Sequence, residues 1–261
     1  MCRHLAYLGP PRTLAELITE PPHSLYEQSW NPRLQTHGTV NADGFGIGWY
    51  PPGDDRGPVR YRRSIPIWND PNLPGLLNVL RSGAVLAAVR AASPGTGREE
   101  TAPAPYGTGR WLFSHNGTVE AWGTLPADTG EPLTASELLG LEARTDSALL
   151  WLMTNRRLTA GLTPADALAD VVHRVRSVRP GARLSLLLTD GRTLAAVRHG
   201  ESLWYHAAGG RLTVASEPPP DHTDWHEIPD RTLFTAPPLP TVPAVPSDST
   251  AHQSTPDIKP L

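Results

Sequence analysis

Cysteine occurs once in the 261 residues, at Cys2, directly behind the initiator methionine. A small residue at this position suits removal of Met1. The thiol then shares its residue with a free α-amine, whose ordinary pKa of about 7.7–8.0 makes it a base near neutrality. Direct proton transfer within one residue has poor geometry, so a bridging water is expected. The alternative is that Cys2 is a small apolar residue on an N-terminal strand.

Three further places carry chemistry. In Phe113-Ser114-His115-Asn116-Gly117-Thr118, the Asn-Gly pair is the strongest two-residue hairpin signal. The same pair can supply two donors to an oxyanion, the Asn116 side-chain NH₂ and the Gly117 backbone N–H. Arg90 ends the apolar run Ala84-Val85-Leu86-Ala87-Ala88-Val89. A guanidinium there either forms an internal ion pair or grips a carboxylate of a ligand. Asp146, in Arg144-Thr145-Asp146-Ser147, either favours a helix dipole or faces an ammonium group. A nucleophile, two oxyanion donors, a carboxylate grip and an ammonium partner together describe a site for an α-amino acid attacked at a side-chain carbonyl. A γ-glutamyl group fits that description.

The elements that must position these residues alternate between β and α patterns. Strands are expected over 2–8, over 43–50 with glycine at every second position, over 83–92 and over 111–114. Thr13, Thr145 and Thr163 each precede a helical pattern as caps. After them come the runs Leu184–Leu188, Leu194–Val197, Leu203–Tyr205 and Leu212–Val214. Asp190-Gly191 and Gly209-Gly210 separate them as hairpin turns. Strands at both ends and helices between them predict a layered α+β domain of antiparallel sheets covered by helices.

A net charge of -3 gives no reason to expect a nucleic-acid partner. No apolar run is long enough for a bilayer, and prolines interrupt any leader-like start, so a cytoplasmic protein without a membrane partner is expected. A single cysteine excludes an internal disulfide. The histidines, His4 and His115 among them, lack zinc-site spacing and are expected to be polar packing groups, with no metal and no cofactor. Eight tryptophans are many for this length. Most are expected in the core, and a few can line a cation–π pocket. Residues 236–261 read as a proline-rich tail without regular pairing, leaving 2–235 as the folded domain.

Cys2, the stretch Asn41-Ala42-Asp43-Gly44-Phe45-Gly46, the strand ending at Arg90, His115-Asn116-Gly117 and Thr145-Asp146 resemble, in order, the class II glutamine amidotransferases. These are N-terminal-nucleophile hydrolases. The resemblance implies a four-layer αββα sandwich of two antiparallel sheets. It also implies roles: Cys2 attacks a γ-carbonyl, Asn116 and Gly117 form the oxyanion hole, Arg90 holds the α-carboxylate and Asp146 the α-ammonium. Within the family, Met-Cys-Arg-His-Leu-Ala and Asn-Ala-Asp-Gly-Phe-Gly look like the ergothioneine-pathway branch. Its members hydrolyse the γ-glutamyl amide of γ-glutamyl-hercynylcysteine S-oxide. The usual opening Cys-Gly-Ile is absent, because Arg3 and His4 follow Cys2. These 261 residues hold no second, synthase-sized segment to accept ammonia, so a stand-alone hydrolase is expected over an amidotransferase. Two alternatives stay open: a glutaminase subunit serving a separate synthase, and a non-catalytic binding protein that keeps the fold. The expected partner is a small γ-glutamyl molecule.

Overall fold

The computed structural model describes residues 2–53, 56–93, 95–221, 223–237 and 255–261. The chain opens with β1 (Cys2–Thr13), α1 (Ala15–Ile18), β2 (Phe45–Trp49), β3 (Val59–Arg63), α2 (Leu73–Val79), β4 (Arg81–Arg90) and β5 (Leu112–Thr118). Four helices follow: α3 (Leu125–Asp128), α4 (Ala135–Leu139), α5 (Asp146–Thr159) and α6 (Pro164–Val178). The rest is β6 (Arg183–Thr189), β7 (Leu194–Arg198), β8 (Trp204–Ala208), β9 (Arg211–Ala215), β10 (His226–Glu227), β11 (Thr232–Ala236) and β12 (Asp257–Pro260).

The strands form two antiparallel sheets. One has the order β10-β8-β9-β1-β4-β2-β3, the other β12-β11-β7-β6-β5. Alternation along each strand explains the layering, since successive side chains point to opposite faces. Ala6, Leu8, Leu86, Leu212 and Val214 of the first sheet meet Leu112, Leu187, Ala196 and Phe234 of the second. Tyr7, Val85, Ala87 and Val89 face the other way, onto α1, α2 and their loops. Phe113, Leu186 and Leu188 pack under α5 and α6. The result is the expected α+β arrangement of two central antiparallel sheets flanked by helical layers.

Two of the three expected caps, Thr145 and Thr163, fall where the threonines announced them, whereas α1 is capped one residue later, at Leu14, with Thr13 bonded to its first turn. Thr145 and Thr163 accept the backbone N–H of Ala148 and Asp166. Thr13 Oγ1 accepts the Glu16 N–H at 3.2 Å while Glu16 reaches back to the Thr13 N–H at 2.7 Å. The bare face of β2 is covered by protein: a Cβ on Gly46 would overlap the Ala104 carbonyl, because residues 103–105 lie directly on the strand.

Two expectations need correction. The segment 236–261 is not without pairing. Ala236 closes β11, and Asp257–Pro260 pairs with Thr232–Thr235 as an edge strand. A terminal edge strand needs donors on one side only, so Pro256 just before it and Pro260 at its last position permit it. Residues 238–254 of that segment lie outside the described residues. The tryptophans also differ: Trp151 alone is fully buried, and Trp30 and Trp68 are exposed, touching edge to face with centroids 5.8 Å apart. Indoles at the ends of elements keep one edge wet, which the count of aromatic residues does not reveal.

Candidate active site

Cys2 begins β1 opposite Arg90, the last residue of β4. The Asn-Ala-Asp-Gly stretch holds that strand end. Asp43 N–H donates to the Arg90 carbonyl, Arg90 N–H donates to the Gly44 carbonyl, both at 2.8 Å, and Asp43 Oδ2 accepts the Ala92 N–H. From the second sheet, β5 reaches the same place. The Cys2 backbone nitrogen donates to Asn116 Oδ1 at 3.1 Å.

That contact orients the amide of Asn116. A nitrogen donor must face the oxygen, so Nδ2 points the other way. Asn116 is fully buried and its Nδ2 has no partner among the described residues. A buried amide donor left open beside a thiol-bearing residue is suited to an incoming anion. Asn116 and Gly117 do not make the hairpin turn that their dipeptide favours. They continue β5, paired with Ser185 and Leu184 of β6. Gly117 has φ +149, and a Cβ there would overlap the Arg183 carbonyl and approach His115 Nε2. Glycine is therefore required at this position.

Arg90 is buried but has no ion-pair partner among the described residues. Its Nη2 donates to Thr96 Oγ1 and the Gly97 carbonyl, both at 2.9 Å, and its Nη1 has no partner among the described residues. The internal ion pair is thus absent and one end of the fork is open. Asp146 begins α5, is also buried, and likewise pairs with no cation among the described residues. Its Oδ2 accepts the Val119 N–H at 3.0 Å and its Oδ1 the Ser147 N–H at 2.8 Å. A carboxylate has further acceptor sites, which leaves room for an ammonium.

A ring of contacts joins these groups. Gly97, held by Arg90, donates its N–H to the Arg144 carbonyl, two residues before Asp146. Ser93 touches Thr118, which precedes the Val119 held by Asp146. Arg90, Asp146, Asn116, Gly117 and Cys2 therefore belong to one site. One lone buried cation and one lone buried anion, set around a thiol and an open amide donor, complement a zwitterion carrying a carbonyl.

Several neighbours were not singled out from sequence as parts of the site. His115 Nε2 lies 3.0 Å from the Arg183 carbonyl, which requires a proton on Nε2, so Nδ1 accepts from Ser147 Oγ at 2.9 Å. Burial lowers the His115 pKa. His4, fully buried between the sheets, contacts Ser114 Oγ at 3.1 Å, and burial pushes its pKa down to about 3. Both imidazoles are neutral near neutral pH and held by buried hydrogen bonds. Arg3 is fully buried as well, with Nη1 donating to the Cys2 carbonyl at 3.2 Å. Its signal was a charged residue inside an apolar strand. Among the described residues no group of three or more His, Cys, Asp or Glu side chains is arranged to hold a metal ion. No helix among them is long and apolar enough to cross a membrane.

The two antiparallel sheets flanked by helices form a glutamine amidotransferase fold of the N-terminal-nucleophile type, with a thiol, an open amide donor, an arginine and an aspartate gathered at one strand end. A family model for class-II glutamine amidotransferases matches residues 17–222. The chain belongs to that family and is an amidohydrolase. A curated relative from Mycolicibacterium smegmatis, named gamma-glutamyl-hercynylcysteine sulfoxide hydrolase, is 41% identical over 234 residues, covering 89% of this chain and 94% of the relative. The protein of the same name from Mycobacterium tuberculosis H37Rv is 36% identical over 233 residues, covering 89% and 91%. Among solved structures, a class-II domain protein from Silicibacter pomeroyi aligns with a TM-score of 0.63 and 26% identity over 90% of this chain and 95% of that one. The phosphoribosylpyrophosphate amidotransferase of Bacillus subtilis shares the fold, with a TM-score of 0.59 and 14% identity; 90% of this chain matches 47% of that enzyme.

Proposed function

We propose that this enzyme hydrolyses the γ-glutamyl amide of γ-glutamyl-hercynylcysteine S-oxide, releasing glutamate and hercynylcysteine S-oxide, with Cys2 as the N-terminal nucleophile. The observation that carries the chemistry is the Cys2 nitrogen on Asn116 Oδ1, with Nδ2 of the same amide buried and open. The names of the two mycobacterial relatives support the substrate.

The reaction starts once Met1 is gone and the Cys2 nitrogen is an amine. Asn116 Oδ1 accepts one of its N–H bonds, which leaves the lone pair for a proton. Through a water, the amine takes the thiol proton and the thiolate attacks the γ-carbonyl carbon. Asn116 Nδ2 and the Gly117 N–H stabilise the oxyanion. Arg90 Nη1 and Asp146 hold the α-carboxylate and α-ammonium, which fixes the carbonyl over the thiol. The protonated amine gives its proton to the leaving nitrogen, the C–N bond breaks, and a γ-glutamyl thioester remains. Water, deprotonated by the same amine, attacks the thioester through a second oxyanion and releases glutamate and the thiol.

Glutamate release from the S-oxide conjugate and from L-glutamine, measured with one preparation, tests the assignment. A specificity constant at least tenfold higher for the conjugate is expected. A preference for glutamine would give the site to a glutaminase, and no release from either would remove the catalytic reading.

A further inference from the structure

Cys2 has a loose end that the strand ladder does not tie. His4 lies against β9 and its extension: the Ser216 N–H donates to the His4 carbonyl at 2.9 Å, and the His4 N–H donates to Ser216 Oγ. Carbonyls two residues apart on a strand point to the same side. The Cys2 carbonyl therefore faces the β9 side, where backbone pairing has ended. Arg3 supplies the missing donor from its own side chain, Nη1 to the Cys2 carbonyl at 3.2 Å.

The guanidinium that does this is locked in place. Its Nε lies 2.8 Å from Glu217 Oε1, an ion pair whose N–H is not aimed at the oxygen, and its Nη1 lies 4.0 Å from Glu201 Oε2. Glu217 is held by His23 Nε2 at 2.7 Å and by the Arg33 N–H at 2.8 Å. Glu201 is held by Arg183 Nε at 2.7 Å. Arg183 also lends its carbonyl to His115 and faces Gly117. All three charged side chains, Arg3, Glu201 and Glu217, are buried. A buried ionic cluster is weak ground for stability, because desolvation offsets the attraction. Fixing geometry at an N-terminal residue is a better use of it. Once Met1 is removed, the residue is tethered covalently on one side only, and its amine and thiol turn together about the Cα–C bond next to the carbonyl that Arg3 holds.

We infer that Arg3 is a positioning residue: by holding the Cys2 carbonyl beyond the end of the strand ladder, it fixes the amine and thiol of the nucleophile toward the bound γ-carbonyl. The inference rests on Cys2 being the nucleophile. It distinguishes kcat from KM, because the glutamyl charges are held by Arg90 and Asp146 on other elements. A displacement of the reacting atoms by about 1 Å costs roughly 10²-fold in rate.

The test uses Arg3→Lys, which keeps the buried charge for Glu217 but loses the forked second donor. Turnover of the S-oxide conjugate is measured per Cys2 titrated with iodoacetamide, alongside KM and Tm. The expected result is a kcat lower by about tenfold to hundredfold, with KM within about twofold of wild type and a Tm close to it. A kcat per titrated site equal to that of wild type would overturn the inference. Arg3→Met combined with Glu217→Gln removes charge from both partners and is expected to lower kcat at least as far. Normal turnover in that variant would overturn the inference even if the lysine variant fails to fold. Cys2→Ala separates the two levels: if it remains active, the nucleophile assignment fails; if it is dead while both Arg3 variants turn over normally, only the positioning role fails.

Discussion

Asn116 is assigned two separable duties, and two substitutions divide them. Asn116→Ala removes both the acceptor for the Cys2 nitrogen and the open Nδ2 donor. Loss of one oxyanion donor typically costs about 2.7–4 kcal/mol, a factor of roughly 10²–10³ in kcat. Asn116→Asp keeps an oxygen for the Cys2 nitrogen but puts a carboxylate oxygen where the donor was. At about 4 Å, with an effective dielectric near 20, its repulsion with an oxyanion adds about 4 kcal/mol. The two terms together come to roughly 7 kcal/mol, or about 10⁵-fold. The aspartate variant, nearly isosteric, is thus expected to be slower than the alanine variant by about two to three orders of magnitude. Steady-state glutamate release at pH 8, with circular dichroism to check the fold, reads the ranking. An aspartate variant as fast as or faster than the alanine variant would show that no negative charge develops at Nδ2.

Arg90→Met is expected to raise KM for the conjugate by at least tenfold and to abolish discrimination against an analogue lacking the α-carboxylate; unchanged discrimination would free Arg90 from that role. Asp146→Asn should do the same for an analogue lacking the α-amine, read in the same competition assay. Stability should fall on acidification. His4, pushed from its ordinary 6.5 to about 3 by burial, binds its proton in the unfolded chain first, so stability is full above about pH 6.5 and declines as the pH drops toward 3. Between pH 7 and 5 this amounts to about 2 kcal/mol, with His115 shifted in the same direction, and a denaturant midpoint that is flat over that range would contradict it. Deleting residues 255–261 uncovers the edge of β11 and the contact of Ile258 with the inter-sheet core, so a loss of about 1–2 kcal/mol, or roughly 2–4 °C in Tm, is expected from differential scanning calorimetry; an unchanged Tm would show that β12 adds nothing.

Much of the site was legible because its residue types conflict with their surroundings. A guanidinium closing an apolar strand at Arg90 calls for an opposite charge, and neither it nor the acid at the start of α5 has an ion-pair partner among the described residues. The two glycine-rich stretches were also legible, although their geometry was not. Asn116-Gly117 has the local preference of a turn, yet pairing with Ser185 and Leu184 keeps it in a strand. Only that strand conformation sets the amide of Asn116 against Cys2. Arg3 illustrates the opposite limit. Its charge in an apolar strand was visible, but its partners Glu201 and Glu217 lie about 200 residues away, and no local pattern connects them. The C-terminal strand was obscured for a third reason: proline density describes what a segment cannot do on both sides, whereas an edge strand needs only one.

The central claim is that the Cys2 thiol carries the γ-glutamyl group between the two half-reactions. Acid quenching of the enzyme during turnover of the S-oxide conjugate, followed by intact-mass and peptide mass spectrometry, tests it most directly. The account predicts a chain that begins at Cys2 and carries one γ-glutamyl group on that residue as a thioester, discharged by hydroxylamine. An active enzyme that retains Met1 on every molecule, or an acyl group found on any other side chain, would contradict it.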